Sequence, residues 1–258
     1  CLLLQHCPGP TSTCLEVHNG LNYYKRWPNL GDCLNGGSWN AGKGTCRCYN
    51  GFVGLRCERY AESCAELFEY DYGYQFNRKT FLKPPGFTAP FQTNCAILKT
   101  SGIRTDIFHQ TNVRAINNTR AWSEYVDGYY AAEDCRNESD FWLGLEKIHH
   151  FNQRGNLKQL NIMLEFKSPY DLAQLQYDDV VIGGPEANYS LSYQKFKRID
   201  NYRTWGLTDC FSSNTSTAFS TPDADHDQDA STNCAEEAGA GWWFGTCNPS
   251  NECNPLGE

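Results

Sequence analysis

The chain has 258 residues with 22 Lys or Arg against 30 Asp or Glu, a net charge of -8, and this acidic balance argues against a nucleic-acid binder. Hydrophobic residues at 40%, among them 7 Trp, 15 Tyr and 14 Phe, supply a packed aromatic core and exclude global disorder. Fourteen cysteines against a single Met, with long spacings and no C-x-x-C pair, read as disulfides and place the chain in an oxidising, extracellular compartment.

No apolar run approaches the ~20 residues of a membrane span, and no basic segment followed by an apolar one opens the chain. A soluble secreted protein whose signal peptide is already gone is expected. Four N-x-[ST] sequons, at Asn117, Asn137, Asn188 and Asn214, fit a glycoprotein. Cysteine density drops near Cys57 and Cys64: seven fall in the first 63 residues and seven in the remaining 195. A domain boundary is expected there.

Residues 1–31 hold Cys1, Cys7 and Cys14 among Pro, Gly and Asn, with no period long enough to bury a face. They read as a segment ordered by crosslinks or by a neighbour, with the chain start as a cut end. Over 32–58, Asn35-Gly36-Gly37 and Asn50-Gly51-Phe52 are turn signals between short strands, predicting a small stapled hairpin unit. The C-x-N-G-G start at Cys33, the Cys46/Cys48 pair and the G-F-x-G-x-x-C ending at Cys57 resemble an EGF-like module. Trp39 stands where that family has its third cysteine, and the first is missing as well. The resemblance implies Cys33–Cys46 and Cys48–Cys57, with one staple lost. Trp27-Pro28-Asn29-Leu30 lacks the acidic residues of the calcium-binding variant, so no calcium is expected in this module. Residues 59–63 read as a linker.

From Cys64 onward, alternating segments over 157–166 and 189–196 suit strands and 119–129 suits a helix, giving an α+β class with long loops. Four successive stretches, Ser63-Cys64-Ala65-Glu66-Leu67, Asp140-Phe141-Trp142-Leu143-Gly144-Leu145-Glu146-Lys147-Ile148-His149, Phe219-Ser220-Thr221-Pro222-Asp223-Ala224-Asp225-His226-Asp227 and Asn233-Cys234-Ala235 with Gly241-Trp242-Trp243-Phe244-Gly245-Thr246-Cys247, are similar to the signatures of fibrinogen C-terminal-like domains, in the family's order. The resemblance covers 64–258 and implies a mixed, mainly antiparallel sheet with long loops and the bridges Cys64–Cys95 and Cys234–Cys247. Arg104 stands at the family's tryptophan, so packing around it is expected to differ. Cys1, Cys7, Cys14, Cys135, Cys210 and Cys253 keep fifteen pairings open.

The densest charge, Asp223-Ala224-Asp225-His226-Asp227-Gln228-Asp229, sets carboxylates at every second position, which repel one another unless a hard cation such as Ca²⁺ bridges them. An EF-hand is disfavoured because Ala230 replaces its glycine and Pro222 sits where the entering helix belongs. The resemblance implies Asp225 and Asp227 as side-chain ligands, with carbonyls near Asp229 and Ser231; a solvated acidic loop is the competing reading. The family's small-ligand pocket, around a peptide bond that is often cis, maps to Thr246-Cys247 and Asn248; Trp242, Trp243 and Phe244 fit its wall, with a place in the aromatic core as the competing reading for at least two of the three. Asn248 replaces the family's histidine.

His6, His18, His109, His149, His150 and His226 show no H-E-x-x-H spacing, and there is no G-x-S-x-G elbow or Walker loop, so no catalysis is expected. The expected protein is a calcium-dependent recognition or adhesion module, lectin-like, taking a glycan (acetylated sugars included) or an extracellular protein. The alternative is a structural subunit of a matrix or filament assembly, as a homo- or hetero-oligomer. The resemblance also implies a C-terminal strand beyond Glu258, so the domain is expected to lack its end, the gap being filled by further residues, a partner strand or a region tied through Cys253.

Overall fold

A computed structural model of the chain describes residues 14–18, 21–25, 33–42, 44–70, 77–98, 102–110, 117–130, 140–155, 157–165, 172–199, 209–211 and 216–247. They fall into two compact units, Cys1–Asp106 and Ile107–Glu258.

The first unit opens with strands β1 (Cys14–His18) and β2 (Leu21–Lys25), an antiparallel pair. Both Asn-Gly pairs make turns: Asn35 and Gly36 have φ of 52° and 74°, Asn50 and Gly51 of 54° and 86°. The amide of Gly37 donates to the Leu34 carbonyl (2.9 Å) and that of Phe52 to Tyr49 (3.1 Å). Two left-handed central residues match the twist of flanking strands, which is why Asn-Gly is favoured there. Strands β3 (Ser38–Asn40) and β4 (Thr45–Arg47) pair with Trp39 opposite Cys46, and the bonds Cys33–Cys46 and Cys48–Cys57 staple the unit.

Strand β5 (Phe52–Val53) pairs with β6 (Arg59–Tyr60), and the Phe52 ring stacks on Tyr60 at 4.0 Å. Residues 59–63 are thus engaged on both sides, because Ala61 then bridges Leu82 in parallel and accepts from the Lys83 amide. Gly51 is obligatory: a Cβ there would lie 1.9 Å from the Phe81 carbonyl oxygen. Helix α1 (Cys64–Tyr70) begins with a reciprocal cap, in which the Glu66 amide donates to Ser63 Oγ while the Glu66 carboxylate accepts from the Glu62 amide and pairs with Arg59. Strands β7 (Asn77–Leu82), β8 (Phe91–Leu98) and β9 (Gly102–Thr105) form an antiparallel sheet in that order, and Cys64–Cys95 ties α1 to it. Arg104 meets Asp106 at 2.5 Å, while Asp106 is buried and its carbonyl accepts from Thr93 Oγ1. An ion pair stands at the position where the resembled family has its tryptophan.

In the second unit, β10 (Phe108–His109), helix α2 (Trp122–Asp127), β11 (Tyr129–Tyr130) and β12 (Phe141–Trp142) follow, the strands ordered β10-β12-β11. Helix α3 (Leu145–Gln153) buries Leu145, Ile148 and Phe151, three and six residues apart on one face. Strands β13 (Gln159–Glu165) and β14 (Leu172–Asp178) pair, β15 (Val181–Ile182) joins β16 (Leu191–Ser192), and β17 (Lys195–Ile199) flanks β14. The strand expected over 189–196 is therefore two. Helix α4 (Cys234–Ala238) comes last.

The β13-β14-β17 sheet has one buried face, with Ile162, Leu175 and Tyr177, and one polar face on which Gln159, Asn161, Gln174, Gln176 and Asp178 hydrogen-bond in a ladder. Asn152 at the end of α3 stitches three backbone groups: its Nδ2 donates to the carbonyls of Leu157 and Val180, and its Oδ1 accepts from the Ile182 amide. The core joins Tyr125, Trp142, Phe219 and Trp243, with Phe219 and Trp243 4.9 Å apart edge to face. Tyr125 links helix and loop, its hydroxyl donating to Asn118 and accepting from the Gly241 amide.

Candidate functional site

The acidic loop and the Cys234–Cys247 segment form one continuous arrangement. Asp223 is spent on the fold, its Oδ1 accepting from the Trp122 amide at the start of α2 (2.9 Å) and from Thr221 Oγ1 (2.7 Å). The next three aspartates each fold back on the amide two residues ahead: Asp225 on Asp227 (3.2 Å), Asp227 on Asp229 (2.8 Å), and Asp229 on Ser231 (3.0 Å). Short carboxylate side chains make such turns readily, which explains a loop rather than a strand here. The second oxygen of Asp227 accepts from the Cys234 amide (2.8 Å), Asn233 caps α4 by accepting from Glu236, and Gln228 donates to the Gly245 carbonyl (2.8 Å). The Cys247 sulfur lies 3.4 Å from the Thr232 carbonyl.

Asp227 and Asp229 differ in charge preference. Partial burial pushes the Asp227 carboxyl above its usual range, and the neighbouring Asp225 carboxylate adds to this against the Cys234 and Asp229 amides. Asp229 is held lower by the Ser231 hydroxyl and amide. Two adjacent carboxylates, one of them desolvated, are the donor chemistry that suits a hard cation. Asp227, Cys234 and Cys247 also put an oxygen and two sulfurs within 4.8 Å, but those sulfurs are bonded to each other and offer no thiolate. Among the described residues no helix runs into this loop, and a turn bridging Thr221 and Ala224 precedes it.

The expected ligand wall divides. Thr246 is exposed and Cys247 half-buried, whereas Asn248 lies outside the described residues. Trp243 does not belong to a wall: it is 2% exposed, packs on Phe219, and its indole N–H donates to the Tyr189 carbonyl (2.8 Å). The correction falls on its neighbour Trp242, which is 6% exposed, stacked on Phe211, and carries an indole N–H with no hydrogen-bond acceptor. Alternation between two adjacent tryptophans does not tell which one keeps a spare donor, so sequence had no signal for this. Among the described residues every peptide bond is trans, the one before Cys247 included.

Elsewhere, Glu146 accepts from the Tyr189 hydroxyl (2.9 Å) and Lys147 donates to the Asp127 carbonyl, so both serve packing. His149 contacts the Ile182 carbonyl through Nδ1 (2.9 Å), a structural contact. Of the sequons, Asn117 is exposed and Asn188 is half-buried with φ of 47°; Asn137 and Asn214 lie outside the described residues. Cys210 is buried and disulfide-bonded, and Cys1, Cys7, Cys135 and Cys253 lie outside the described residues.

With this geometry in place, the family model for the C-terminal globular domain of fibrinogen beta and gamma chains matches residues 61–256. The chain belongs to the fibrinogen C-terminal domain family. Ficolin-3 of Homo sapiens is 30% identical over 199 residues, covering 76% of this chain and 60% of that protein. Fibrinogen-like protein 1 of Rattus norvegicus is 24% identical over 204 residues, 78% of this chain and 62% of its own length. The chain thus spans less than two thirds of these curated relatives. Among solved structures, the fibrinogen-like globe domain of human ANGPTL2 superposes with a TM-score of 0.59 at 24% identity, over 72% of this chain and 78% of that one. Lamprey fibrin D-dimer, solved with the peptide ligand Gly-His-Arg-Pro-amide, gives 0.57 at 25% identity, over 73% and 58%. Among the described residues no helix is long and apolar enough to cross a membrane.

Proposed function

We propose that this chain is a non-enzymatic extracellular recognition module: a fibrinogen-like domain over 64–258, preceded by an EGF-like hairpin over 32–58 and the short connection 59–63, that binds Ca²⁺ in its 223–233 loop and takes a protein or glycan ligand beside Thr246-Cys247. The observation that carries this reading is the coupling of loop to segment, through Gln228 to Gly245 and through Asp227 to the Cys234 amide. Asp225 and Asp227 would hold the ion, with carbonyls near Asp229 and Ser231. Bound Ca²⁺ supplies the counter-charge that lets both carboxylates stay ionised. Ordering the loop then orders the 245–247 backbone that faces a ligand. The peptide held by lamprey fibrin supports a ligand-binding reading, and the disulfides support an extracellular one.

The test is thermal melting with Ca²⁺ and with chelator, beside retention on an acetylated-amine column. A ligand that binds only the native state at a hundredfold excess over Kd stabilises by ~2.7 kcal/mol, so the melting temperature should rise in Ca²⁺, and Asp225→Ala should remove the rise. Equal melting in both conditions would reduce the motif to a solvated acidic loop, and retention that ignores chelator would uncouple the ligand from the ion.

A further inference from the structure

Two of the four sequons lie within the described residues. Asn188 is half-buried and leads into Tyr189, which is 3% exposed. Asn117 is exposed. Its Oδ1 accepts from the Thr119 amide (2.9 Å) and its carbonyl from Arg120 Nε (2.9 Å), whereas its Nδ2 makes no hydrogen bond among the described residues. The other two residues of this sequon are engaged. Asn118 is buried, with Nδ2 donating to Gln110 Oε1 (3.2 Å), Oδ1 accepting from the Tyr129 hydroxyl (3.1 Å) and its carbonyl accepting from the Tyr125 hydroxyl (2.7 Å). Thr119 Oγ1 donates to the carbonyl of Gly239, the residue that ends α4, at 2.7 Å and across 120 positions of sequence.

We propose that Asn117 carries an N-linked glycan and that folding closes this sequon, so that the sugar is added only before Thr119 meets Gly239. Such a glycan presupposes the extracellular reading above, because the donor, an oligosaccharide on a lipid pyrophosphate, belongs to the secretory route. Asn117 Nδ2 forms a bond to the anomeric carbon of the oligosaccharide. The bond from that carbon to the pyrophosphate breaks, the lipid pyrophosphate leaves with the electron pair, and one Nδ2 proton passes to a base of the transferase. Nothing is oxidised or reduced.

Ser and Thr share a hydroxyl at the third position of an N-x-[ST] acceptor, and here that hydroxyl is taken by Gly239. Lifting residues 117–119 into a transferase breaks this bond and the three that hold Asn118, and it exposes a buried amide. Synthesis at about 5–20 residues per second brings Gly239 out roughly 6–24 s after Thr119. During that interval the sequon has no Gly239 to bind. The product suits the fold: replacing one hydrogen on Nδ2 keeps the amide neutral, leaves Oδ1 to accept from the Thr119 amide, and carries the sugar from an exposed side chain into solvent.

The experiment has two arms, both read site by site by peptide mapping after enzymatic glycan release in heavy-oxygen water, which leaves a heavy aspartate at each used asparagine. In the first, the full chain is secreted from cultured eukaryotic cells. Asn117 should be occupied, Thr119→Ser should keep the glycan, and Thr119→Val should lose it. In the second, chain made while synthesis of the lipid-linked donor is blocked, and therefore bare, is offered purified oligosaccharyl transferase with lipid-linked oligosaccharide. Asn117 should accept no sugar while the disulfides are intact and should accept it once the chain is reduced and unfolded. A secreted, disulfide-bonded chain bare at Asn117, or an unfolded chain that refuses sugar there, would overturn the site. Transfer to the folded chain as fast as to the unfolded one would overturn its closure by folding. A chain that reaches the medium with its cysteines reduced would count against the extracellular reading instead, and the second arm would still decide Asn117.

Discussion

The hairpin region 33–60 and the aromatic region around Trp142, Phe219 and Trp243 reach order by different means. In the hairpin, contacts are short in sequence: turns close over four residues, and the two disulfides join residues 13 and 9 apart. Around Phe219 the partners come from distant segments, with Tyr125 reaching Gly241 across 116 residues and Trp243 reaching Tyr189 across 54. A small stapled region is specified by covalent and turn chemistry, because it buries too little apolar surface to rely on a core. The aromatic region relies on burial, so one deletion there is felt by several segments at once.

The largest expected effect is therefore in the aromatic region. Phe219→Ala removes a fully buried ring touching Trp122, Tyr125, Trp142 and Trp243, and should cost about 3–5 kcal/mol in chemical denaturation. In the hairpin, no single apolar truncation should approach this; the double change Cys48→Ser with Cys57→Ser should, at about 2–4 kcal/mol, with protease cutting concentrated over 48–57. If Phe52→Ala were as costly as Phe219→Ala, the contrast would fail.

Asn152→Ala tests a polar version of the long-range case. It leaves the Leu157 and Val180 carbonyls and the Ile182 amide without their partner, and should cost about 1–3 kcal/mol for buried groups left unsatisfied. Asn152→Asp, which keeps an acceptor for Ile182 but loses the donors, should recover only part of the loss.

The smallest effects are in pH dependence, and they run in opposite directions. Lys197, then Gln159 and Gln176, hold the Asp178 carboxyl down at about 2. With its folded value below the unfolded one, its contribution is present above about pH 4 and is lost as pH falls toward about 2. Asp227 is raised by burial, so the folded state binds more protons, and stability from this group falls as pH rises from its unfolded value through its folded one. Stability curves of Asp178→Asn and Asp227→Asn against wild type in chelator should therefore diverge with opposite slopes over the acidic range. Parallel curves would show that the two aspartates share one environment.

Sequence alone determined the class of the fold and the local devices: both Asn-Gly turns and a helix near 119–129 whose core is Trp122–Asp127. Each of these depends on residues within a few positions of one another, where dihedral preference and hydrogen-bond reach act without a partner from elsewhere. The tertiary structure decided what long-range contacts decide. It turned Trp243 into the core and left Trp242 with the spare N–H, spent Asp223 on α2 rather than on the acidic loop, and set Asp106 against Arg104. Adjacent residues of one type are equivalent in composition and period. They become different only when another segment arrives to satisfy one and not the other, and that arrival is a property of the packed chain.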